Sequence, residues 1–447
     1  MKRRRIAAFL ALLALLAGAC SNASDDSGGS ASDSAASGTT GGDGPLTYAD
    51  VLELPIDENV PVDAPGVDDS TIRVGGVAST TNPIGGKYGE AFQGVEAYFA
   101  YINDQGGIYG RDLELTAQED DNTGFENTQD VQSLLTQDIF AVLPVATLDF
   151  SGAELLVDAN MPTFGWNINE EYSLGENLFG TRGFLCFTCA GSLLPWLAQE
   201  TGSTTLGVLA YDVPQSAACA EGISASFETY PTAEIGFLDD SLPYGIPDLS
   251  AQVRDMKDAG VDLVATCMDF NGVTTLQQEM RRQELDATQY LPNAYDYDFL
   301  AENGDLFEGS YVLTNFPPFE VADEDKPEGM ALYEQWIEDT GGTLGELSLG
   351  GWMAADLFVT GLRAAGPEFS QQGVIDGLNQ LTDYTGLGLT ANQDWTVEHT
   401  ADGDQLCSAL SQIENGAFVP VFGEPGAPFV CFEKDAAAIP ETPIISD

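Results

Sequence analysis

The stretch Thr71–Asp121 constrains the chain most, because it reads as one complete strand–helix–strand unit. Ile72 to Ala78 is a short apolar run that breaks off into the polar cluster Ser79-Thr80-Thr81-Asn82-Pro83, the pattern of a buried strand entering a turn. Tyr88, Ala91, Phe92, Val95, Tyr98, Phe99 and Ile102 then recur at helical spacing and make one apolar stripe. Asn103-Asp104-Gln105-Gly106-Gly107 stops that helix, since glycine takes the left-handed conformation a helix end needs. Leu113 and Leu115 open a second strand that runs into Glu119-Asp120-Asp121. A parallel unit of this kind places its binding loops at the carboxyl ends of its strands. Ser79–Asn82 is therefore the first loop to suspect.

A helix ending in N-D-x-G-G-I-x-G-R (Asn103–Arg111), set between a strand with a polar turn and a strand with an acidic end, resembles a known family. These features are similar to the extracytoplasmic substrate-binding proteins of branched-chain amino acid ABC transporters. A second similar motif runs from Asp248-Leu249-Ser250-Ala251-Gln252-Val253 to Gly260-Val261-Asp262. The resemblance extends from Thr71 to the C-terminus. It implies an α/β fold of two doubly wound parallel-sheet lobes joined by a hinge, the class I periplasmic-binding-protein or Venus-flytrap arrangement. It also implies a small-molecule ligand between the lobes, a membrane permease as partner, no cofactor and no catalysis.

Residues 1–19 read as a signal peptide. Lys2 and Arg3 to Arg5 form its basic region and Ile6 to Leu16 its apolar region. Leu16-Ala17-Gly18-Ala19-Cys20 resembles a bacterial lipobox, so Cys20 is the expected lipidation site; an ordinary secretory cut after Ala19 is the competing reading. The apolar run is shorter than the ~20 residues a spanning helix requires. The expected location is the extracytoplasmic face of the cell membrane, held by lipid. Residues 20–44 are nearly all Ser, Ala, Gly, Asp and Thr, a composition that makes a flexible tether. Residues 45–69 carry several prolines and a few apolar positions and read as an extended arm on the body. The remaining length suits two α/β lobes. The first lobe is expected over 70–182, the second over 183–308 and a return to the first over 309–395. A C-terminal hairpin region and tail follow over 396–447, with the Asn415-Gly416 pair as its tight turn.

Fifteen basic residues face seventy-one acidic ones, and removal of the leader leaves eleven basic, so the mature chain carries a net charge near −60. Such a body repels nucleic acid. Its acidity reads as a solubilising surface, or more sharply as adaptation to salty or alkaline surroundings. Cys186, Cys189, Cys219, Cys267, Cys407 and Cys431 are an even set in an exported chain, which argues for three disulfides whose pairing sequence alone leaves open. Cys407 with Cys431 is favoured because both lie in the hairpin region. Cys186-Phe187-Thr188-Cys189 has the C-x-x-C spacing of redox and zinc sites. It lacks a second pair, and His399 is the sole histidine. A structural cross-link is the expectation.

Catalytic patterns are missing from the sequence. There is no G-x-S-x-G elbow and no G-x-x-x-x-G-K-[ST] loop, and one histidine limits any triad or H-E-x-x-H site. Gly386-Leu387-Gly388-Leu389-Thr390-Ala391 fits G-x-G-x-x-A without a preceding strand and reads as a loop. Acidic pairs such as Asp120-Asp121 read as solvated face residues, and no metal site is expected. What remains is a cleft defined by strand ends. The first lobe contributes Ser79, Asn82, Thr147, Trp166 and Asn167; the second contributes Asp212, Ser216, Asp269, Asn271, Tyr295 and Asp296. They supply hydroxyls, amides, carboxylates and aromatic faces without a basic group, which suits a cation, a zwitterion or a neutral amide.

In amino-acid-binding members of the resembled family, hydroxyls of the first lobe hold the ligand's carboxylate and a second-lobe carboxylate holds its ammonium. Thr147 and Asn167 match the first half of that pattern. Leu291-Pro292-Asn293-Ala294-Tyr295 lacks the family's usual glutamate, and Ser216 stands where an aromatic often stacks. Asp269 or Asp296 would replace the missing carboxylate. The leading expectation is a transport receptor for a small polar solute, an amino acid or a related amide or amine; a ligand-sensing regulator of the same fold is the alternative. Cys20→Ala should release the mature protein from membranes into the soluble extracytoplasmic fraction. An unmodified residue 20 in the membrane-extracted native protein, by intact mass, would refute the anchor.

Overall fold

The computed structural model describes residues 45–446 apart from 83–84, 244, 246–247, 293, 401–404 and 435. The expected leader, Cys20, the tether and Asn293 lie outside the described residues. The first sheet is built from β1 (Thr71–Ala78), β2 (Asp112–Asp120), β3 (Ala141–Ala146), β4 (Thr163–Gly165) and β5 (Leu178–Gly180), in the order β2-β1-β3-β4-β5. Every neighbouring pair is parallel. All of β3 is buried whereas β2, at the edge, alternates. That contrast follows from helices covering both faces of the central strands.

The second sheet begins with β6 (Thr205–Tyr211), β7 (Glu234–Leu242), β8 (Leu263–Cys267), β9 (Thr288–Leu291) and β10 (Tyr311–Thr314), in the order β7-β6-β8-β9-β10. Counted from its own first strand, each sheet has the order 2-1-3-4-5. Each therefore has a switch point beside its first strand, where ligands bind at strand ends in doubly wound folds. The second sheet continues through antiparallel β11 (Gln405–Glu414), with β12 (Ala417–Val421), β13 (Phe429–Glu433) and β14 (Ile444–Ser446) beyond it. Asn415 and Gly416 both have positive φ (52° and 73°) and join β11 to β12 as a two-residue turn.

The expected return to the first lobe at residue 309 is corrected. β10 lies parallel to β9 and antiparallel to β11, so it belongs to the second sheet. The chain regains the first lobe with the helix Glu328–Asp339, which packs on the helix Glu90–Asp104. A short apolar strand carries no mark of the sheet it joins; the partner strand β11 decides it. The arm is corrected in part as well. Tyr48–Leu52 is a turn of helix whose Tyr48 and Val51 are buried. Tyr48, Tyr98 and Tyr384 all donate their hydroxyls to the buried Asp356 carboxyl (3.3, 2.7 and 2.8 Å), and burial pushes that carboxyl's pKa up. Arg111, the last residue of the N-D-x-G-G-I-x-G-R motif, is fully buried and donates to the carbonyls of Val60, Asp68 and Tyr109. The motif's arginine thus pins the arm to the body.

The six cysteines form the bridges Cys186–Cys189, Cys219–Cys267 and Cys407–Cys431. The helix Glu346–Ala365 is buried on every side from Ser348 to Leu362 and forms the spine of the first lobe. Glycines set its approach to the helix Glu90–Asp104. A Cβ on Gly94 would lie 1.8 Å from the Ser348 carbonyl oxygen, and one on Gly351 would lie 1.9 Å from that of Ala91. Gly351→Ala must push the two helices apart. It should lower unfolding free energy in urea by about 1–3 kcal/mol, the range for overpacking a close core; an unchanged midpoint would show that the helices adjust freely.

Candidate functional site

Strand ends of the first lobe meet at one buried carboxylate. Asp121, directly after β2, is fully buried and accepts from Ser79 Oγ (2.6 Å), Gly124 N (3.0 Å), Asn127 Nδ2 (2.9 Å) and Thr147 Oγ1. Ser79 Oγ in turn accepts from Leu148 N at 3.0 Å. The loops after β1, β2 and β3 are thereby braced together. The expectation that Asp120-Asp121 is solvated holds for Asp120, which is exposed, and fails for Asp121. Asp121 is the buried hub, and the Asp120 carboxylate takes the N–H and hydroxyl of Thr81 (2.9 and 2.5 Å), bonds that hold its pKa down at about 2 against desolvation.

The structure places the other first-lobe candidates in distinct roles. Asn82 clamps its own loop, bonding the Ser79 carbonyl and both main-chain groups of Gly86. Asn167 is fully buried, accepts from Arg182 N (2.8 Å) and donates to the Gly183 carbonyl (2.9 Å). Trp166 is partly buried, lies 5.9 Å from the Tyr88 ring, and donates from Nε1 to Glu346 Oε1 at 3.2 Å. In the second lobe, Asp269 caps the helix Phe270–Gln283 through Gly272 N and accepts from the Tyr211 hydroxyl, both at 2.8 Å. Ser216 Oγ donates to the Cys267 carbonyl (2.7 Å), while Asp212 and Asn271 are exposed. Tyr295 is buried against Phe418 (4.5 Å between rings), with its hydroxyl between Glu320 Oε2 and Phe319 N. Asp296 caps the helix Tyr297–Asn303 through Phe299 N at 2.7 Å.

Two basic side chains stand at the seam between the lobes, which corrects the expectation of a cleft without them. Lys87, in the loop after β1, reaches Asp298 Oδ2 (2.7 Å) in the first turn of the helix Tyr297–Asn303 and Asp296 Oδ2 (3.2 Å) at its cap, after β9. It joins the strand-end loops of the two lobes. Glu90, one helical turn further on, is pushed up to about 7 by burial, with Lys87 opposing the shift and Asp296 and Asp298 adding to it. The Glu346 carboxyl is likewise raised by burial against the pull of Arg182 and Trp166. Arg182 lies on the first crossover between lobes. With the Asn315 amide oriented to face it, its Nε and Nη2 both donate to Asn315 Oδ1 on the second crossover (2.8 and 2.7 Å). Glu398, on the third, accepts from Phe184 N at 3.3 Å. Lys87 lies five residues beyond the Ser79–Asn82 window and Arg182 two residues past the end of β5, so reading two residues past each strand end would have missed the first and caught the second.

The seam therefore offers an aromatic face, mixed charges and a hinge of three bonded crossovers. His399 takes no part: its ring bonds Asn379 Oδ1 at 2.8 Å, packs on Phe179 and Trp395, and is held down at about 4 by burial. Among the described residues no group of three metal-ligating side chains comes together, and no helix is long and apolar enough to cross a membrane.

Residues 71–417 match the family model for periplasmic binding proteins. The chain belongs to the periplasmic binding protein family. Proteins of this family bind small solutes outside the cytoplasm and work with ABC-transporter permeases. Among solved structures it is similar to a fatty acid ABC transporter substrate-binding protein from Thermomonospora curvata (17% identity, 86% of this chain and 98% of that one, TM-score 0.66). It is also similar to a branched-chain amino acid ABC transporter from Thermus thermophilus with bound valine (18%, 79% and 95%, 0.62). A third is a solute binding protein of an ABC transporter from R. palustris in complex with 4-hydroxybenzoate (15%, 78% and 95%, 0.64). At these identities the likeness carries the fold alone. No curated protein sequence matches this one.

In this periplasmic binding protein, Glu90 ties the seam to pH. Its folded pKa of about 7 lies above the ordinary 4.5, so its contribution to stability is complete below about 4.5 and is lost as pH rises through 7. Glu90→Gln removes that loss. The melting temperature of the variant relative to the native protein should climb between pH 4.5 and 8, and a constant difference across that range would mean that Glu90 stays ionised in the fold.

Proposed function

We propose that this protein is the lipid-anchored solute-binding component of an ABC importer, which closes its lobes on a small polar solute and delivers it to a membrane permease. The observation that carries the reading is the Lys87 bridge to Asp296 and Asp298. It puts the switch-point loop of one doubly wound lobe against a strand-end loop of the other, where closure on a solute takes place. Crossovers linked by Arg182–Asn315 and Glu398–Phe184 supply the hinge. The relatives' bound molecules, valine and 4-hydroxybenzoate, and the fatty acid of the Thermomonospora curvata protein's name set the range of solutes to try. Cys20 is the proposed anchor, and the tether of residues 20–44 would let the body reach its permease.

Differential scanning fluorimetry of the mature protein against amino acids, amides, urea, polyamines and aromatic and aliphatic acids tests this. A solute at a hundred times its Kd that binds only the folded state adds about 2.7 kcal/mol of stability. At least one solute should raise the melting temperature with concentration, and it should be recovered unchanged. A panel without any such solute, or turnover of the bound compound, would overturn the reading.

A further inference from the structure

We propose that Cys186–Cys189 is a thiol–disulfide exchange site whose partner is an extracytoplasmic protein dithiol of the C-x-x-C kind, and that its reduction loosens a tie between the lobes. The three bridges differ in what they join. Cys219–Cys267 has a sequence separation of 48 and fastens the helix Pro214–Thr229 to the end of β8. Cys407–Cys431, with a separation of 24, joins β11 to β13 at directly opposed positions. Cys186–Cys189 has a separation of 3 and closes on itself within the first crossover, between β5 and the helix Leu193–Thr201. A cross-link stabilises a fold chiefly by restricting the unfolded chain, and it does so least when the loop it closes is short. Each of the other bridges fastens two elements and this one fastens none, so cross-linking gives little account of it.

Its surroundings suit exchange. Thr188 and Cys189 are exposed and Cys186 and Phe187 partly buried, whereas Cys267 and Cys431, in the other two bridges, are buried. Exposure lets an attacking thiolate reach sulfur, and it marks the labile disulfides off from the structural ones. Zinc, the other use of C-x-x-C spacing, needs further ligands, and among the described residues no group of three metal-ligating side chains forms. The Glu170 carboxylate is bonded to the loop and disfavours a thiolate beside it, so the attacking thiolate comes from the partner. It attacks Cys189 Sγ; the S–S bond breaks and its electron pair leaves on Cys186 Sγ, which takes a proton. The partner's second thiolate then displaces Cys189 from the mixed disulfide, and that sulfur takes a proton too. Two electrons and two protons thus pass from the partner dithiol, which ends as a disulfide.

The same loop touches both lobes. Phe187 N donates to Glu170 Oε1 (2.6 Å), in the short helix between β4 and β5 of the first lobe. The Phe187 carbonyl packs against Gly222 in the helix Pro214–Thr229 of the second, where a Cβ would lie 2.0 Å from the oxygen. Gly191 N donates to Ser226 Oγ of that helix at 2.8 Å. The bridge brackets Phe187 and Thr188, and Thr188 Oγ1 lies 3.8 Å from Cys186 Sγ inside the turn. It therefore holds the two main-chain groups of Phe187 toward opposite lobes. Reduction frees these residues to leave that conformation and releases the contact they make between the lobes.

Graded dithiothreitol on the native protein without denaturant, followed by acid quench, alkylation and peptide mass spectrometry, reads the order of reduction. Cys186 and Cys189 should become alkylated at concentrations ~10-fold or more below those that open the other two bridges. Incubation with a thioredoxin-type domain whose second active-site cysteine is replaced by serine should trap a mixed disulfide, carried by Cys189. Amide hydrogen exchange in peptides covering Phe187 should quicken ~10-fold or more on selective reduction, and the double variant Cys186→Ser, Cys189→Ser should exchange at that faster rate without reductant. Joint or later reduction of this bridge, or an adduct that is absent or carried by Cys186, would overturn the exchange step. Exchange at Phe187 that ignores the state of the bridge would overturn the tie. Selective reduction of the native protein needs no variant, so both results can be read even where the double variant fails to fold.

Discussion

The bonds converging on Asp121 are the constraint on which the cleft depends. A carboxylate with no exposed surface is tolerated only when its lone pairs are filled, and here two hydroxyls, a side-chain amide and a main-chain N–H fill them. The donors come from the ends of three strands and from the helix Asn127–Leu135 that follows. Loosening any one of them would leave a buried carboxylate one donor short, which favours a single arrangement of the loops after β1, β2 and β3. Lys87 follows the loop that Asn82 ties to Ser79 and Gly86, and from there it reaches Asp296 and Asp298.

Sequence reasoning identifies the strands, the order of motifs and the strand ends that face the seam, because apolar runs, helical stripes and glycine stops are local signals. It does not separate a polar residue that braces a loop from one that meets a solute. Ser79, Thr147 and Asn167 look alike in sequence to a ligand contact, yet each is fully or almost fully buried with its polar atoms bonded inside its own lobe or crossover. Asp269 and Asp296 follow strands as a cleft carboxylate would, and each also caps the helix behind it. Helix capping and ligand binding draw on the same residue types at the same place in a βα turn, so pattern alone leaves them mixed. The position of β10 was illegible for another reason: its sheet is decided by β11, nearly a hundred residues later in the chain.

The resemblance carried by Asn103–Arg111 is structural in origin. Asn103 ties the helix end to Leu113 of β2 through both of its amide groups (3.0 and 2.8 Å), and Gly106, Gly107 and Gly110 take positive φ in the turn between them. Arg111 then fastens the arm. None of these residues stands at the seam. A motif can therefore identify the fold sharply and say nothing about the solute, as the different molecules bound by relatives of one fold require.

Charge distribution carries the argument one step further. In a chain with so few basic residues among so many carboxylates, a cation finds an anionic neighbour almost anywhere. Arg73 pairs with Asp68 and Asp138, Arg282 with Glu279, and Lys326 with Asp323 and Glu334. Others, such as Arg111, Arg281 and Arg363, cap main-chain carbonyls. Arg182 does neither: its side-chain acceptor is an amide on a different crossover. Surface pairs of the first kind contribute little, ~0–1 kcal/mol, and can be gained or lost without consequence. Arg182 thus stands apart from the surface pairs, because its side-chain bond joins two crossovers between the lobes and holds them at a fixed separation.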